Sequence, residues 1–128
     1  MPHTNKTSAP VGVDIPELEG RYVDLDGYTV GFETYAVDVD PAEFFRGLPD
    51  DRCQCPHWGV VVSGSISFRF ADRTETYAAG DAYYAPAGHT PLVTAGTEVI
   101  EFSPTEDLGR TMSVVEANLA AAAAGASR

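Results

Sequence analysis

Ser65 to Phe70 alternates strictly, with Ile66, Phe68 and Phe70 on one side of an extended chain and Ser65, Ser67 and Arg69 on the other. A period of two gives a strand one apolar face and gives a helix none. Further short segments of strand character are Arg21 to Leu25, Tyr28 to Val37, the run from Cys53 through Val60, Val61 and Val62, and Thr74 to Tyr77. Ala82 to Ala85, Thr90 to Thr94 and Thr97 to Ser103 complete the set. Turn residues separate them at Asp26-Gly27, Ser63-Gly64, Ala71-Asp72-Arg73, Ala79-Gly80-Asp81 and Ala95-Gly96. Many short strands with turns at this spacing predict an all-β sandwich or barrel. On the second strand, Tyr28, Val30, Phe32, Thr34 and Ala36 share a face and are expected on the core side.

Two segments break the pattern. Asp40-Pro41-Ala42-Glu43 reads as a helix start, with Asp40 as cap, Pro41 at the first helical position and Glu43 completing a capping box. Gly47 and Pro49 keep that helix short, and Phe44, Phe45 and Leu48 give it an apolar side. Met112 to Ala124 is Ala-rich and of high helix propensity, with a narrow stripe of Val114, Val115, Asn118 and Leu119. The chain therefore divides into a flexible N-terminal segment or edge strand over 1–20, a β-domain over 21–104, and a C-terminal helix and tail over 105–128.

The chain has 128 residues, enough for one domain with an apolar core. The net charge of -11, with eight scattered Lys and Arg, argues against a nucleic-acid partner, which needs clustered cations. No apolar run approaches membrane-spanning length and no secretory apolar region follows Met1, which predicts a cytoplasmic protein without a membrane partner. The two cysteines in C-x-C spacing are poor partners for one another in a disulfide and fit a reducing compartment.

Both cysteines and two of the three histidines fall between Cys53 and His89. If Cys53, Cys55 and His57 lie on one strand, all three point the same way. His89 follows a Pro-x-Gly turn, from which a fourth ligand can return. Thiolate and imidazole in a group of four suit Zn, with Fe or Cu as alternatives, and disfavour hard ions. Cys53, Cys55, His57 and His89 are therefore the expected metal ligands. Against this stand plainer roles: buried apolar thiols for the cysteines, a core imidazole for His57, and a turn residue at the rim for His89. Asp51 reads as a loop carboxylate and His3 as a solvated terminal residue. Trp58 alternates away from His57 and is expected in packing. Tyr83 and Tyr84 take opposite faces, so one of them can line a pocket. Glu98 and Glu101 are expected in solvent, because Ile100 and Phe102 claim the core face.

Gly80, Pro86, Gly88 and His89 resemble the second sequence motif of the cupin superfamily, most closely its small single-domain bacterial members, although His89 follows Gly88 directly instead of after two residues. The first motif fits less closely. Cys53 and Cys55, Cys53 and His57, or Cys55 and His57 fill its slots in three different registers, and no carboxylate clearly fills its Glu position. The resemblance, over Tyr28 to Ser103, implies an antiparallel jelly-roll barrel that often forms a homodimer. It implies no particular reaction. The expected function is a metal-binding cupin acting on a small organic molecule in the barrel, by oxygenase, isomerase or lyase chemistry. Set against it are a non-catalytic module with a closed metal site, and a metal-free barrel with an apolar pocket.

Overall fold

The computed structural model describes residues 2–126, so Met1 and the end of the 105–128 segment lie outside the described residues. The strands are β1 (Val11–Ile15), β2 (Leu18–Leu25), β3 (Tyr28–Tyr35), β4 (His57–Ser63), β5 (Ser65–Arg69), β6 (Thr74–Ala78), β7 (Ala82–Ala85), β8 (Thr90–Val93) and β9 (Glu98–Pro104). One α-helix, α1 (Thr105–Ala126), follows. The strands form a six-stranded sheet in the order β1-β2-β3-β9-β4-β7 and a three-stranded sheet in the order β6-β5-β8. Every named pairing is antiparallel. This is the jelly-roll arrangement, two facing sheets that share no strand ladder among the described residues.

The turns do what their residues require. Asp26 and Gly27 both take positive φ, at 50° and 84°, which turns β2 into β3 through a tight hairpin whose twist matches the strands. At Gly64, between β4 and β5, φ is +74° and an added Cβ would stand 2.7 Å from the Thr97 Cα, so only glycine fits.

Between the sheets, Ile66 and Phe68 of β5 pack with Tyr35, Val61, Tyr83, Ala85, Val93 and Val99. Truncating a buried ring such as Phe68 to alanine costs about 3–5 kcal/mol in cores of this kind. The alternation along 65–70 thus reads out the core face directly.

The face of β3 differs from expectation. Val30 and Phe32 are buried, but they pack with Ala9, Val23, Leu25 and Ile100 in a separate cluster. Tyr28, expected with them, is exposed. Thr29, Gly31, Glu33 and Tyr35 occupy the opposite face, on which Tyr35 joins the core between the sheets. The physical reason is that the six-stranded sheet has apolar residues on both faces, so the apolar set of one strand does not identify the barrel interior.

The segment from Asp40 also differs. It forms a single 3-10 turn at Ala42–Phe45 without a side-chain cap at its N-cap position. Asp40 instead pairs with Arg69 at 2.5 Å and accepts a hydrogen bond from the Ala42 amide at 3.2 Å. A second 3-10 turn covers Pro49–Asp51. The C-terminal helix begins earlier than its alanine content suggests, at Thr105. Its Leu108 and Val115 pack against Phe45, Cys53 and Cys55. The Asn118 amide donates to the carbonyls of Phe44 and Arg46 at 2.8 and 2.9 Å, fixing the helix to the first 3-10 turn. This places α1 beside the Cys53 end of the barrel.

Candidate metal centre

Two loops are clipped together to make the site. The Cys53 amide donates to the His89 carbonyl at 2.7 Å, and the Cys53 carbonyl accepts from the amides of Gly88 and His89 at 2.8 and 3.2 Å. Gly88 reaches this position with a φ of +95°, a conformation glycine adopts without penalty. The direct Gly-His step therefore still turns the imidazole inward. His89 is 1% exposed.

Residues 54–56 are irregular, and β4 starts only at His57. The expected single strand through Cys53, Cys55 and His57 is absent, so alternation does not govern where their side chains point. Ligand atoms of Cys53, His57 and His89 all lie within 4.8 Å of one another, and all three residues are buried. Among the described residues this is the group that brings three potential ligands together. Cys55 does not belong to it. Its side chain is completely buried, its thiol donates to the Pro56 carbonyl at 3.4 Å, and it packs with Phe45.

The two imidazoles are held from behind. His89 Nδ1 lies 2.8 Å from the Pro86 carbonyl, which can only accept, so Nδ1 carries the proton and Nε2 keeps its lone pair. His57 Nδ1 lies 2.7 Å from the Ser103 hydroxyl, and His57 Nε2 lies 3.8 Å from the Cys53 sulfur. The His57 and His89 ring centroids are 5.0 Å apart, and Phe68 meets His89 edge-on at 5.0 Å. The Thr111 hydroxyl of α1 lies 3.9 Å from the Cys53 sulfur and closes that side.

The donor set fits a soft or borderline divalent cation. Tetrahedral zinc bonds of about 2.3 Å to sulfur and 2.0–2.1 Å to nitrogen place those two atoms about 3.5 Å apart, against the 3.8 Å between the Cys53 sulfur and His57 Nε2. Burial sets the protonation states of the bare cluster. It pushes the Cys53 thiol up to about 11 and the Cys55 thiol up to about 12. It pulls His57 down to about 4, and burial together with the neighbouring His57 pulls His89 down to about 4. Neutral imidazoles are what a metal requires, and a bound cation would favour the Cys53 thiolate.

Behind the cluster lies a polar row that contains one residue expected in solvent. Glu101, expected in solvent, is buried on the barrel side of β9, whereas Phe102, expected in the core, is 42% exposed on the outer face. Register explains the inversion. Gly59 of β4 pairs with Glu101, and Trp58 pairs with Phe102. Since His57 faces inward, Trp58 and Phe102 face out and Glu101 faces in. Tyr22, Gly31, Glu101, Gly59 and Tyr83 form one cross-strand row. The two glycines make room for the two phenol rings: a Cβ at Gly59 would stand 2.5 Å from the Tyr83 hydroxyl, and one at Gly31 would stand 3.0 Å from the Tyr22 ring. Tyr83, rather than Tyr84, is thus the inward one of that pair.

The Tyr83 hydroxyl donates to Glu101 Oε2 at 2.5 Å, and the Tyr22 hydroxyl donates to Glu33 Oε2 at 2.8 Å. Glu101 Oε1 stands 3.8 Å from His57 Nδ1. Burial raises both carboxyls, and the Glu101 charge raises Glu33 further. Burial and the neighbouring carboxylates also push the Tyr22 and Tyr83 phenols well above their usual range. The signal available in the sequence was the pair of strand glycines, Gly31 and Gly59, which mark close approach by bulky neighbours.

No family model matches this chain, and no curated protein matches its sequence. Solved structures do. A protein of unknown function from Rhizobium leguminosarum bv. viciae 3841 aligns with a TM-score of 0.59 at 17% identity, over 80% of this chain and 95% of that one. The polyketide cyclase RemF from Streptomyces resistomycificus aligns at 0.57 and 17%, over 81% and 79%. An RmlC-like cupin from Shewanella frigidimarina aligns at 0.53 and 14%, over 79% and 88%. At these identities the likeness concerns the fold. The fold this chain shares with them is the jelly roll of an RmlC-like cupin.

Proposed function

We propose that Cys53, His57 and His89 hold one divalent cation, zinc first and iron or copper as alternatives, in a barrel that acts on a small organic molecule. The observation that supports this most is the convergence of one thiol and two imidazoles within 4.8 Å, with the second nitrogen of each ring engaged from behind. Three protein ligands leave a tetrahedral ion one open position, from which it can polarise a substrate or activate water. Cys55 is left outside the ligand set. Elemental analysis of purified protein, followed by Cys53→Ser and His89→Ala, tests the assignment: one equivalent of metal in the parent, and its loss in either variant, is the expected result.

A non-catalytic module with a closed site is the second reading. It is favoured by the depth of the cluster and by α1, whose Thr111 stands against Cys53. The cobalt-substituted protein separates the two, because an open site changes its visible absorption when azide or cyanide is added and a closed one does not.

We also propose that the protein is a homodimer. Tyr28, Trp58, Val60, Val62, Tyr84 and Phe102 are 41–50% exposed. They share the outer face of β3, β9, β4 and β7, where Trp58 stacks on Tyr84 at 5.0 Å. Taking about 150–250 Å² for a whole aromatic side chain, the exposed parts come to about 500 Å², among the largest patches a monomer shows. That area can form the centre of the roughly 800 Å² each partner gives to a standard interface. A chain of net charge -11 repels a second copy over most of its surface, and this uncharged patch is where two copies can meet. The C-x-C spacing of Cys53 and Cys55, poorly suited to a mutual disulfide, supports a cytoplasmic location.

A further inference from the structure

We infer that Ser103 and Glu101 are positioning residues for His57, and that β9 thereby sets how strongly this imidazole binds the cation. The inference rests on the metal reading above and adds to it the groups that tune one ligand.

A metal-binding imidazole presents one nitrogen, and the partner of the other nitrogen decides which one that is. The two histidines are held differently. His89 is fixed by the Pro86 carbonyl, a backbone group that no side-chain substitution removes. His57 is fixed by the Ser103 hydroxyl at 2.7 Å. A hydroxyl can donate or accept, so on its own it does not choose the tautomer. Glu101 supplies the bias. Its Oε1 stands 3.8 Å from the same Nδ1, and its Oε2 is anchored by the Tyr83 hydroxyl at 2.5 Å. With Oε2 accepting from Tyr83, Oε1 presents an acceptor oxygen on that side, which favours a proton on Nδ1 and leaves the Nε2 lone pair facing the Cys53 sulfur 3.8 Å away.

The strand register builds this arrangement. Glu101 and Ser103 are two apart on β9 and point into the barrel together. Gly59, opposite Glu101 on β4, has no side chain, so Tyr83 reaches across it from β7 to the carboxylate. Three strands therefore converge on one ring nitrogen.

The test uses two variants, Ser103→Ala and Glu101→Gln, with Ser103→Thr as the conservative rescue and Ser67→Ala, half-buried and hydrogen-bonded to Thr76, as control. Zinc affinity is measured by chelator competition, and the His57 tautomer by long-range 1H–15N correlation on the metal-free protein. Ser103→Ala is expected to weaken zinc binding about 10–100-fold and to move His57 away from the Nδ1–H form. Glu101→Gln, nearly isosteric, shifts both readouts the same way, and Ser103→Thr restores them. Unchanged affinity together with an unchanged tautomer in Ser103→Ala and Glu101→Gln would overturn the inference. If the parent protein binds no zinc, the metal reading fails, and the tautomer of the metal-free variants still decides whether β9 holds His57.

Discussion

Cys53 and His89 are joined through their backbones before any metal is considered. The Cys53 amide donates to the His89 carbonyl at 2.7 Å and the His89 amide returns to the Cys53 carbonyl at 3.2 Å. The first potential ligand and the last are therefore held side by side by the fold itself. A cation entering this site would meet donors already oriented, which lowers the ordering cost of binding.

The two cysteines are expected to separate cleanly. Cys53→Ser should abolish tight metal binding, because its sulfur belongs to the three-ligand group. Cys55→Ser should retain the metal and lose stability, by about 1–3 kcal/mol, since a hydroxyl is then buried in an apolar cluster. Metal content and thermal melting of the two variants check this. Loss of metal in Cys55→Ser with full retention in Cys53→Ser would reverse the assignment.

The metal-free protein should show two opposed pH trends. His57 and His89 sit near 4, below their ordinary 6.5, so the unfolded chain binds protons that the folded one does not. Their contribution to stability is complete above about pH 6.5 and lost as the pH falls toward 4. Glu33 and Glu101 are raised above their ordinary 4.5, so the folded chain retains protons. Their contribution is complete below about pH 4.5 and lost as the pH rises toward neutrality. Glu33→Gln removes one of the two raised carboxyls. Stability of this variant, followed by urea denaturation in the presence of chelator, should rise more steeply than the parent's between pH 4.5 and 6.5. An unchanged slope would show that these carboxyls do not titrate as the burial implies.

Gly59→Ala should destabilise the fold by about 1–3 kcal/mol. The added Cβ meets the Tyr83 ring at 2.5 Å and the Ile100 carbonyl at 2.9 Å, and the carbonyl belongs to the paired strand and cannot swing away. Gly27→Ala adds a Cβ in open space and is strained only through its φ of +84°. Comparing the two by denaturant unfolding separates overpacking from backbone strain, and a Gly59→Ala protein as stable as the parent would contradict the packing described.

Much of the fold was legible in single segments. Asp26-Gly27 announced its hairpin, and the alternation at 65–70 gave the inner face of β5, because both are local features. The face of β9 was not legible. Val99, Glu101 and Ser103 point inward while Ile100 and Phe102 point outward, so the more apolar residues lie outside. Only the pairing of Trp58 with Phe102 reveals this, and pairing is a relation between distant strands. At the site, three of the four expected residues lie together, but the sequence did not show that 54–56 leave the strand, and Cys55 stands outside the group of potential ligands.

The outer sheet face should govern association. Trp58→Glu or Phe102→Glu places a charge in the centre of the apolar patch and should convert a dimer to a monomer while leaving the melting of the isolated chain nearly unchanged. Analytical ultracentrifugation at micromolar concentration is the check. A parent protein that sediments as a monomer, or a dimer indifferent to both substitutions, would exclude this face.

The central claim is that a thiol and two imidazoles hold one cation inside the barrel, and elemental analysis of the freshly purified protein tests it most directly. The expected result is one equivalent of zinc, iron or copper per chain, absent from His89→Ala. A parent protein with no stoichiometric metal, even after anaerobic reconstitution with each of these ions, would contradict it.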